Sequence, residues 1–101
     1  MANNWNISDR LEKKIKNRDK ICVYCRAVFR DNFRDKATWE HIDNNENNIC
    51  ESNITLCCHS CNASKGNRKL EDWLNSLYCK KKKINEETVA SIIKQFINEA
   101  G

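Results

Sequence analysis

The chain has 101 residues, of which 40% are hydrophobic and 32% are charged. That length is typical of one domain. A chain this short buries only about 60–65% of the surface that it exposes when unfolded, and a cross-link or a bound metal would therefore add stability that it needs. Seven cysteines are present, and their odd number argues against a complete disulfide framework.

The sequence carries no sign of export or of membrane insertion. Residues 1–6 lack the basic start and apolar run of a secretory signal. No apolar stretch approaches the roughly 20 residues that a membrane helix needs. We therefore expect a cytoplasmic protein with no membrane partner, a setting in which clustered cysteines bind metal more often than they pair.

The net charge of +4 is unevenly distributed. Residues 10–20 carry six Lys or Arg against two acidic residues, and four consecutive lysines occupy 80–83, whereas residues 40–51 hold four acidic residues and no basic one. Basic flanks around an acidic centre suit a surface that binds phosphate beside a cation site. The alternative is that the lysines are simply solvated.

The first half of the chain predicts one helix and two strands. Ser8 is the expected N-cap of a helix over about 9–20, in which Leu11 and Ile15 share a face. A knuckle and loop over 21–37 lead into a short strand around 37–40. An Asn-rich loop follows, and the β-branched and apolar residues 53–57 predict a second strand. A short helix is expected from near Cys61 to Gly66.

The second half predicts two longer helices. Apolar residues recur at helical spacing from Leu70 to Leu77 and predict a helix over about 68–78. Asn85 is the expected cap of a last helix over about 86–99, whose apolar stripe comprises Val89, Ile92, Ile93, Phe96 and Ile97. Since no linker or repeat divides the chain, the sequence predicts a single α+β domain over 1–101, with flanking N- and C-terminal helices.

Two C-x2-C knuckles, at Cys22/Cys25 and at Cys58/Cys61, form the strongest metal signal. Zinc prefers four soft or borderline ligands in a tetrahedron, and each knuckle supplies two thiolates from one tight turn. The sequence therefore predicts a structural Zn²⁺ held by these four cysteines.

Other cysteines leave alternatives open. Cys57 or His59 could replace a ligand of the second knuckle, whereas Cys50 and Cys79 fall outside the pattern and are expected to be buried free thiols. The 32 residues between the knuckles exceed the 15–20 of ordinary paired-knuckle sites. The metal would therefore hold the two ends of a long insert.

Residue types suited to phosphodiester hydrolysis lie in this insert and just beyond it. His41 can take a proton from water when neutral. Glu40 and Asn62 offer the hard oxygen ligands that suit Mg²⁺ or Mn²⁺. Because neighbours on a regular strand point to opposite faces, we expect the strand to end or bulge at Glu40 and His41.

From about residue 21 to residue 75 the chain resembles the HNH, or ββα-metal, endonuclease family. The resemblance rests on four pieces in the family's order: Cys22-x-x-Cys25, Trp39-Glu40-His41-Ile42, Asn53-Ile54-Thr55-Leu56-Cys57-Cys58 and Cys61-Asn62-x-x-Lys65-Gly66. It implies a small ββα-metal core over about 21–66, stapled by the four-cysteine zinc site.

The resemblance also implies a role for each motif residue. His41 is the general base, Glu40 is a ligand of the catalytic metal, and Asn53 holds the loop or orients the histidine. Asn62 stands where the family often has a second metal-binding histidine, which makes this an H-N-N variant. The family usually has Asp in place of Glu40, and a proline shortly after the histidine that is absent here.

The expected activity is metal-dependent hydrolysis of DNA, with double-stranded DNA as partner and with 5′-phosphate and 3′-hydroxyl products. Zn²⁺ would be structural, Mg²⁺ or Mn²⁺ catalytic, and Lys65, Arg68 and Lys69 would contact phosphate. The main alternative is a non-catalytic zinc module that binds nucleic acid or protein, and a weaker one is an RNA nuclease or RNA binder. The sequence leaves the oligomeric state open, a homodimer included.

Overall fold

The computed structural model describes residues 7–100, with the backbone alone for Ala100. Residues 1–6, where the question of a signal arises, lie outside the described residues. The elements in chain order are α1 (Asp9–Arg18), β1 (Ala37–His41), β2 (Ile54–Cys58), α2 (His59–Lys65), α3 (Leu70–Leu74), α4 (Leu77–Lys82) and α5 (Ser91–Ala100). The α+β class is confirmed, and no helix in this range is long and apolar enough to cross a membrane.

Helix α1 begins where its cap was predicted. The Ser8 hydroxyl accepts a hydrogen bond from the Leu11 N–H at 3.2 Å, which satisfies one of the free donors of the first turn. Ile15 is completely buried and packs in one apolar cluster with Trp39 and Leu56 of the hairpin. The helix ends at Arg18, two residues before the predicted end.

Strands β1 and β2 form an antiparallel hairpin in regular register, from Ala37 opposite Cys58 to His41 opposite Ile54. The second strand lies one residue later than predicted. Residues directly opposite each other share a face of the sheet, and the face alternates along each strand. One face packs against α1 through Trp39, Ile54 and Leu56; the other carries Thr38, Glu40, Thr55 and Cys57.

The outer edge of β2 is covered by residues 18–23, at and just after the end of α1. The buried carboxylate of Asp19 accepts the Leu56 N–H at 3.1 Å, and Val23 N–H donates to the Leu56 carbonyl at 3.3 Å. Arg18 pairs with Asp19 and donates to the Ile54 carbonyl at 2.7 Å. These bonds give the exposed strand edge its missing partners, and the sequence analysis did not single out Asp19.

Helix α2 follows β2 without a loop, so it begins at His59, two residues earlier than predicted. It stops at Gly66, whose φ of +52° lies in the left-handed region that glycine adopts without steric cost. The hairpin and α2 thus form one continuous ββα unit.

The predicted single helix over 68–78 is wrong, because two short helices occupy this segment. Ser76 caps α4, its hydroxyl accepting the Cys79 N–H at 3.3 Å, and this cap starts a new helix direction. Leu70 and Trp73 of α3 are buried, whereas Leu77 is 74% exposed. The apolar residues keep their helical spacing across Ser76, but the extended backbone of this serine ends one helix and starts the next.

The predicted start of the last helix is also wrong, since α5 begins at Ser91. The Asn85 side chain accepts hydrogen bonds from the N–H groups of Glu87 and Thr88 at 2.9 and 3.2 Å, which closes a turn and not a helix. Val89 precedes the helix and is buried, as is Ile93 within it. The apolar stripe therefore packs as expected, although part of it is not helical.

We expect Asp19→Ala to destabilise the domain by about 1–3 kcal/mol, because the Leu56 N–H would lose its buried acceptor. Urea unfolding followed by circular dichroism measures the change. The matched control is Asp31→Ala, an exposed aspartate, for which less than about 0.5 kcal/mol is expected. Equal effects of the two substitutions would contradict the role given to Asp19.

Candidate metal centre and hydrolytic site

Four cysteine thiols converge at the junction of the knuckle, β2 and α2. The Sγ atoms of Cys22, Cys25, Cys58 and Cys61 all lie within 4.8 Å of one another, and those of Cys25 and Cys58 are 3.8 Å apart. Zinc bonded tetrahedrally to four sulfurs at about 2.3 Å separates them by about 3.8 Å. The cluster is confirmed as a set of ligands that can hold a metal ion, and its donor chemistry fits zinc.

Backbone hydrogen bonds and the ends of β2 and α2 position these four thiols next to one another. In the first knuckle the Cys22 N–H donates to the Ala27 carbonyl at 3.0 Å and the Arg26 N–H returns to the Cys22 carbonyl at 3.1 Å. In the second, Cys58 ends β2 and Cys61 lies in the first turn of α2. The Tyr78 hydroxyl donates to Cys61 Sγ at 3.3 Å, an outer hydrogen bond of the kind that orients a metal ligand.

Hydrogen bonding within the cluster lowers the pKa of Cys22 and Cys25 and raises the pKa of Cys58 and Cys61. Hydrogen bonding with Cys25 raises the pKa of Cys22, but the thiols of Cys58 and Cys61 outweigh it and bring the pKa to about 7. Hydrogen bonds from the other three thiols also lower the pKa of Cys25. Since metal binding requires thiolates, an ion held by all four cysteines would have to release the protons that the second knuckle retains.

The two alternative ligands lie elsewhere. Strand alternation turns Cys57 to the face opposite Cys58, where its Sγ lies 3.8 Å from the Thr38 hydroxyl and burial raises its pKa. The His59 ring packs on Phe33, with 4.3 Å between ring centroids. Neither residue belongs to the cluster.

The remaining cysteines are free thiols. Cys79 is completely buried, as predicted. Cys50 is only half-buried and lies 3.4 Å from the Asn48 Oδ1 and Ser52 Oγ atoms. Its polar neighbours explain why the expected full burial is not reached.

Glu40 lies inside the protein in a charged network. It is 5% exposed, the Tyr24 hydroxyl donates to its Oε1, and the Lys65 ammonium lies 3.6 Å from its Oε2. Burial raises the pKa of Glu40, and the Lys65 charge and the Tyr24 hydrogen bond oppose that rise. A buried carboxylate needs such partners, because an unpaired charge in the interior is costly.

The structure corrects the position expected for Lys65. Its side chain is 1% exposed and its ammonium donates to Asn44 Oδ1 at 2.7 Å, so it contacts Glu40 and the loop and is not on the surface where phosphate would bind. The need to neutralise Glu40 explains this burial. Arg68 and Lys69 are exposed in the turn between α2 and α3, where the predicted contacts with phosphate remain predictions.

His41 is the last residue of β1, on the face opposite Glu40. The expected end or bulge within this pair is absent, because Glu40 and His41 both belong to the regular ladder and alternation turns their side chains to opposite faces. His41 is 8% exposed; burial lowers its pKa, and the charges of Asp43 and Glu46 oppose this shift. The neutral imidazole, the form able to accept a proton, is favoured.

Asn53 holds together the loop that follows β1. It is 2% exposed; its Oδ1 accepts the Asp43 N–H, and its Nδ2 donates to Asp43 Oδ1 and to the Asn48 carbonyl, all at 3.0 Å. Burial raises the pKa of Asp43, but hydrogen bonds from Asn48, the Asn45 N–H and Asn53 lower it overall. The loop next to His41 thus carries a stable negative charge.

Asn62 reaches from α2 to β1. Its Nδ2 donates to the Thr38 hydroxyl at 3.0 Å and to the Trp39 carbonyl at 3.1 Å, which leaves the carbonyl oxygen Oδ1 as the atom able to meet an ion. Glu40 Oε2 is buried and accepts no hydrogen bond from residues 7–100. Carboxylate and amide oxygens are of the kind that divalent cations prefer, but the nearest charged partner of Glu40 Oε2 in the structure is the Lys65 ammonium, 3.6 Å away.

No family model, curated protein or solved structure matches the chain. What is established is a β-hairpin followed by a helix and linked to a four-cysteine cluster. Within residues 7–100, no other group of three or more His, Cys, Asp or Glu side chains converges as a metal site would require.

Two residues of the network, Tyr24 and Asn44, were not predicted from the sequence. Tyr24 lies inside the first knuckle and is completely buried, so its hydroxyl needed a partner. Asn44 has a positive φ of 64°, and its side chain joins Lys65 to the Arg68 carbonyl. Only the fold brings Tyr24 to Glu40 and Asn44 to Lys65, and no local signal indicated it.

We expect purified protein to contain one zinc per chain. Cys58→Ala should abolish stoichiometric zinc and unfold the knuckle region, because structural zinc contributes on the order of 10 kcal/mol to folding in small domains. Cys57→Ala is the matched control, since it removes the neighbouring thiol on the opposite face and should retain zinc. Metal analysis with circular dichroism measures both. Folded wild-type protein without zinc, or zinc loss only in Cys57→Ala, would contradict this assignment.

We expect Lys65→Met to destabilise the domain by about 3–5 kcal/mol, because it leaves the Glu40 charge buried without its cation. Adding Glu40→Gln to that variant should recover much of the loss. Lys81→Met, at an exposed lysine of α4, is the control and should change stability by less than about 0.5 kcal/mol. Chemical unfolding measures all three. Additive effects of the two core substitutions would show that the pair is not coupled.

Proposed function

We propose that this protein is a metal-dependent endonuclease of the HNH, or ββα-metal, type that hydrolyses DNA phosphodiester bonds. The observation that carries the proposal is the pair of hydrogen bonds from Asn62 to Thr38 and Trp39. They bring the helix of the ββα unit onto β1 immediately before Glu40 and His41. The four-cysteine cluster that ties the unit together supports the same interpretation.

In the proposed reaction His41 accepts a proton from the attacking water at an imidazole nitrogen. Burial favours its neutral form, and Asp43 beside it stabilises the imidazolium that results. Asn53 fixes the loop that holds Asp43, which makes Asn53 a positioning residue.

Glu40 and Asn62 would hold the divalent ion, Mg²⁺ or Mn²⁺. Such an ion, when bound, polarises the phosphate and stabilises the leaving oxygen. Because Lys65 already lies beside Glu40 Oε2, an ion at this oxygen has to share the carboxylate with the ammonium or displace it. Occupation of the site therefore depends on how readily the Glu40–Lys65 pair opens.

The scissile phosphate is proposed to lie at the end of β1, where the two faces of the hairpin meet. His41 and Glu40 are each less than a tenth exposed, so substrate binding has to open this end of the strand. Arg68 and Lys69, exposed in the following turn, would contact the DNA backbone and make binding dependent on salt.

The second candidate function is a non-catalytic zinc module that binds nucleic acid. The burial of Glu40 between Tyr24 and Lys65 favours it, because a carboxylate used only to join the hairpin to α2 has no need of a metal. The two candidates share the zinc cluster and differ in whether His41 reacts.

The decisive assay is plasmid nicking by zinc-loaded protein across a titration of Mg²⁺ and Mn²⁺. We expect His41→Ala to reduce the rate by about 10²–10⁴, the usual cost of losing a general base. Zinc content and DNA affinity should stay at wild-type values. Cleavage by His41→Ala at the wild-type rate would contradict the mechanism.

Variants of the proposed ligands should differ from His41→Ala in their response to metal. Asn62→Ala should raise the Mg²⁺ concentration needed for half-maximal cleavage, and Glu40→Gln should raise it further because it removes a full charge. Asn75→Ala, at an exposed asparagine of the α3–α4 turn, should leave it unchanged. A wild-type protein that binds DNA but cleaves none with either ion would favour the non-catalytic module.

A further inference from the structure

A large aromatic side chain lies exposed on the loop that leads into β1. Phe33 is 69% exposed, although a phenylalanine normally gains most by burial. One side of its ring packs on His59, and the Lys36 ammonium lies 5.3 Å from its centroid. The exposed remainder of the ring is available for a partner that stacks on aromatic surfaces.

The loop holds Phe33 in place through a dense set of hydrogen bonds. Asn32 Oδ1 accepts the N–H groups of Arg34 and Asp35 at 3.0 and 2.8 Å, and Lys36 N–H donates to the Asn32 carbonyl at 3.1 Å. This ordered turn lowers the entropy cost of using the ring as a binding surface.

The surroundings of Phe33 are basic. Residues 26–36 carry four basic residues against two acidic ones, and all four basic side chains are exposed: Arg26, Arg30, Arg34 and Lys36. The Asp35 carboxylate accepts a hydrogen bond from Asn32 Nδ2 at 3.0 Å. Exposed cations beside an aromatic ring match the two parts of a nucleotide, its phosphate and its base.

A cleft between α3 and α5 is a poorer place for nucleic acid. It has a volume of about 390 Å³ and is lined by apolar side chains of α3 and α5 together with Asp43, Glu71 and Glu86. Three carboxylates against Lys69 would repel a phosphate backbone. The charge distribution therefore favours the Phe33 surface over the cleft.

The Phe33 surface is joined to the proposed hydrolytic site by β1 and α2. The N–H groups of His59 and Ser60 donate to the carbonyls of Lys36 and Arg34, both at 3.0 Å, so the loop is fastened to the start of α2. From Ala37 to His41 the strand runs about 13 Å, which is about four stacked nucleotides at 3.4 Å each. A single DNA strand can therefore span both places.

We propose that Phe33, with Arg34 and Lys36, binds an unpaired nucleotide of the DNA substrate by stacking, so that the preferred substrate contains single-stranded DNA next to a duplex. In a continuous duplex the bases stack on each other and their faces are covered. An exposed ring on a rigid loop can bind only a base that has left the stack. This inference rests on the proposed function for the identity of the substrate, whereas its binding test does not require cleavage.

Fluorescence anisotropy of the full, zinc-loaded chain without added Mg²⁺ tests the proposal. The probes are oligothymidine, a blunt duplex, and that duplex with a single-stranded tail. We expect Phe33→Ala to weaken binding of oligothymidine and of the tailed duplex by about 5- to 150-fold, the range for loss of one stacked base. Binding of the blunt duplex should be unchanged. Phe33→Trp should retain tight binding, whereas Phe33→Leu, which keeps apolar area without an aromatic face, should bind like Phe33→Ala.

The charged residues should act differently from the ring. Arg34→Gln and Lys36→Gln should weaken all three probes and each reduce the salt slope by about one. Equal loss on the blunt and tailed duplexes in Phe33→Ala, or no loss on any probe, would overturn the proposal. Oligouridine serves as a fourth probe. If Phe33→Ala weakened the binding of oligouridine but of none of the DNA probes, the proposal would also be overturned, in favour of RNA. Because Phe33 is exposed, zinc content and melting temperature should not change, and this separates a binding defect from unfolding.

Cleavage separates this proposal from the proposed function. If tailed and blunt duplexes are both cut and Phe33→Ala cuts them at wild-type rates, the stacking surface is wrong and the nuclease stands. If no DNA is cut but the tail still binds through Phe33, the nuclease is wrong and the stacking surface stands.

Discussion

The four-cysteine cluster is the constraint on which the rest of the domain depends. A chain of this size has a small core, and its two knuckles lie at opposite ends of a 32-residue insert. Bringing Cys22 and Cys25 to Cys58 and Cys61 closes that insert, and the β-hairpin is folded within it. Because Cys58 ends β2 and Cys61 lies in α2, the same cluster fixes the angle at which the helix leaves the hairpin, and hence where Asn62 lies.

Alternation along the hairpin then assigns each residue its surroundings. On β1 it turns Trp39 toward the apolar cluster with α1 and Glu40 toward Tyr24 and Lys65. A slip of one residue would exchange these faces and place a carboxylate in the apolar cluster. The bonds of Asp19 and Val23 to the Leu56 backbone oppose such a slip from the outer edge. The register is therefore determined by the contacts on the two faces of β1 and by the hydrogen bonds at the outer edge of β2.

Local signals in the sequence were sufficient where a feature depends on near neighbours. The cysteine spacing predicted the cluster, Ser8 predicted the start of α1, and the β-branched run predicted β2 to within one residue. One local signal was overlooked: Ser76 caps α4, but the apolar spacing continued across it. Local signals failed where a distant contact decides, since nothing near Lys65 in the sequence indicates a buried partner 25 positions earlier.

The glutamate at position 40 and the lysine at position 65 are best understood together. A glutamate is one methylene longer than the aspartate usual in the family that the chain resembles, and here its carboxylate meets both the Tyr24 hydroxyl and the Lys65 ammonium. A carboxylate neutralised by an internal cation attracts a divalent ion less strongly than a free one. Under the proposed reaction, Lys65 is too deeply buried to meet the substrate phosphate, so a divalent ion at Glu40 would have to separate the carboxylate from the ammonium. The ammonium would keep its hydrogen bond to Asn44, which limits the cost of that separation. The affinity for the ion would then be lowered by the free energy that the buried pair loses when it opens.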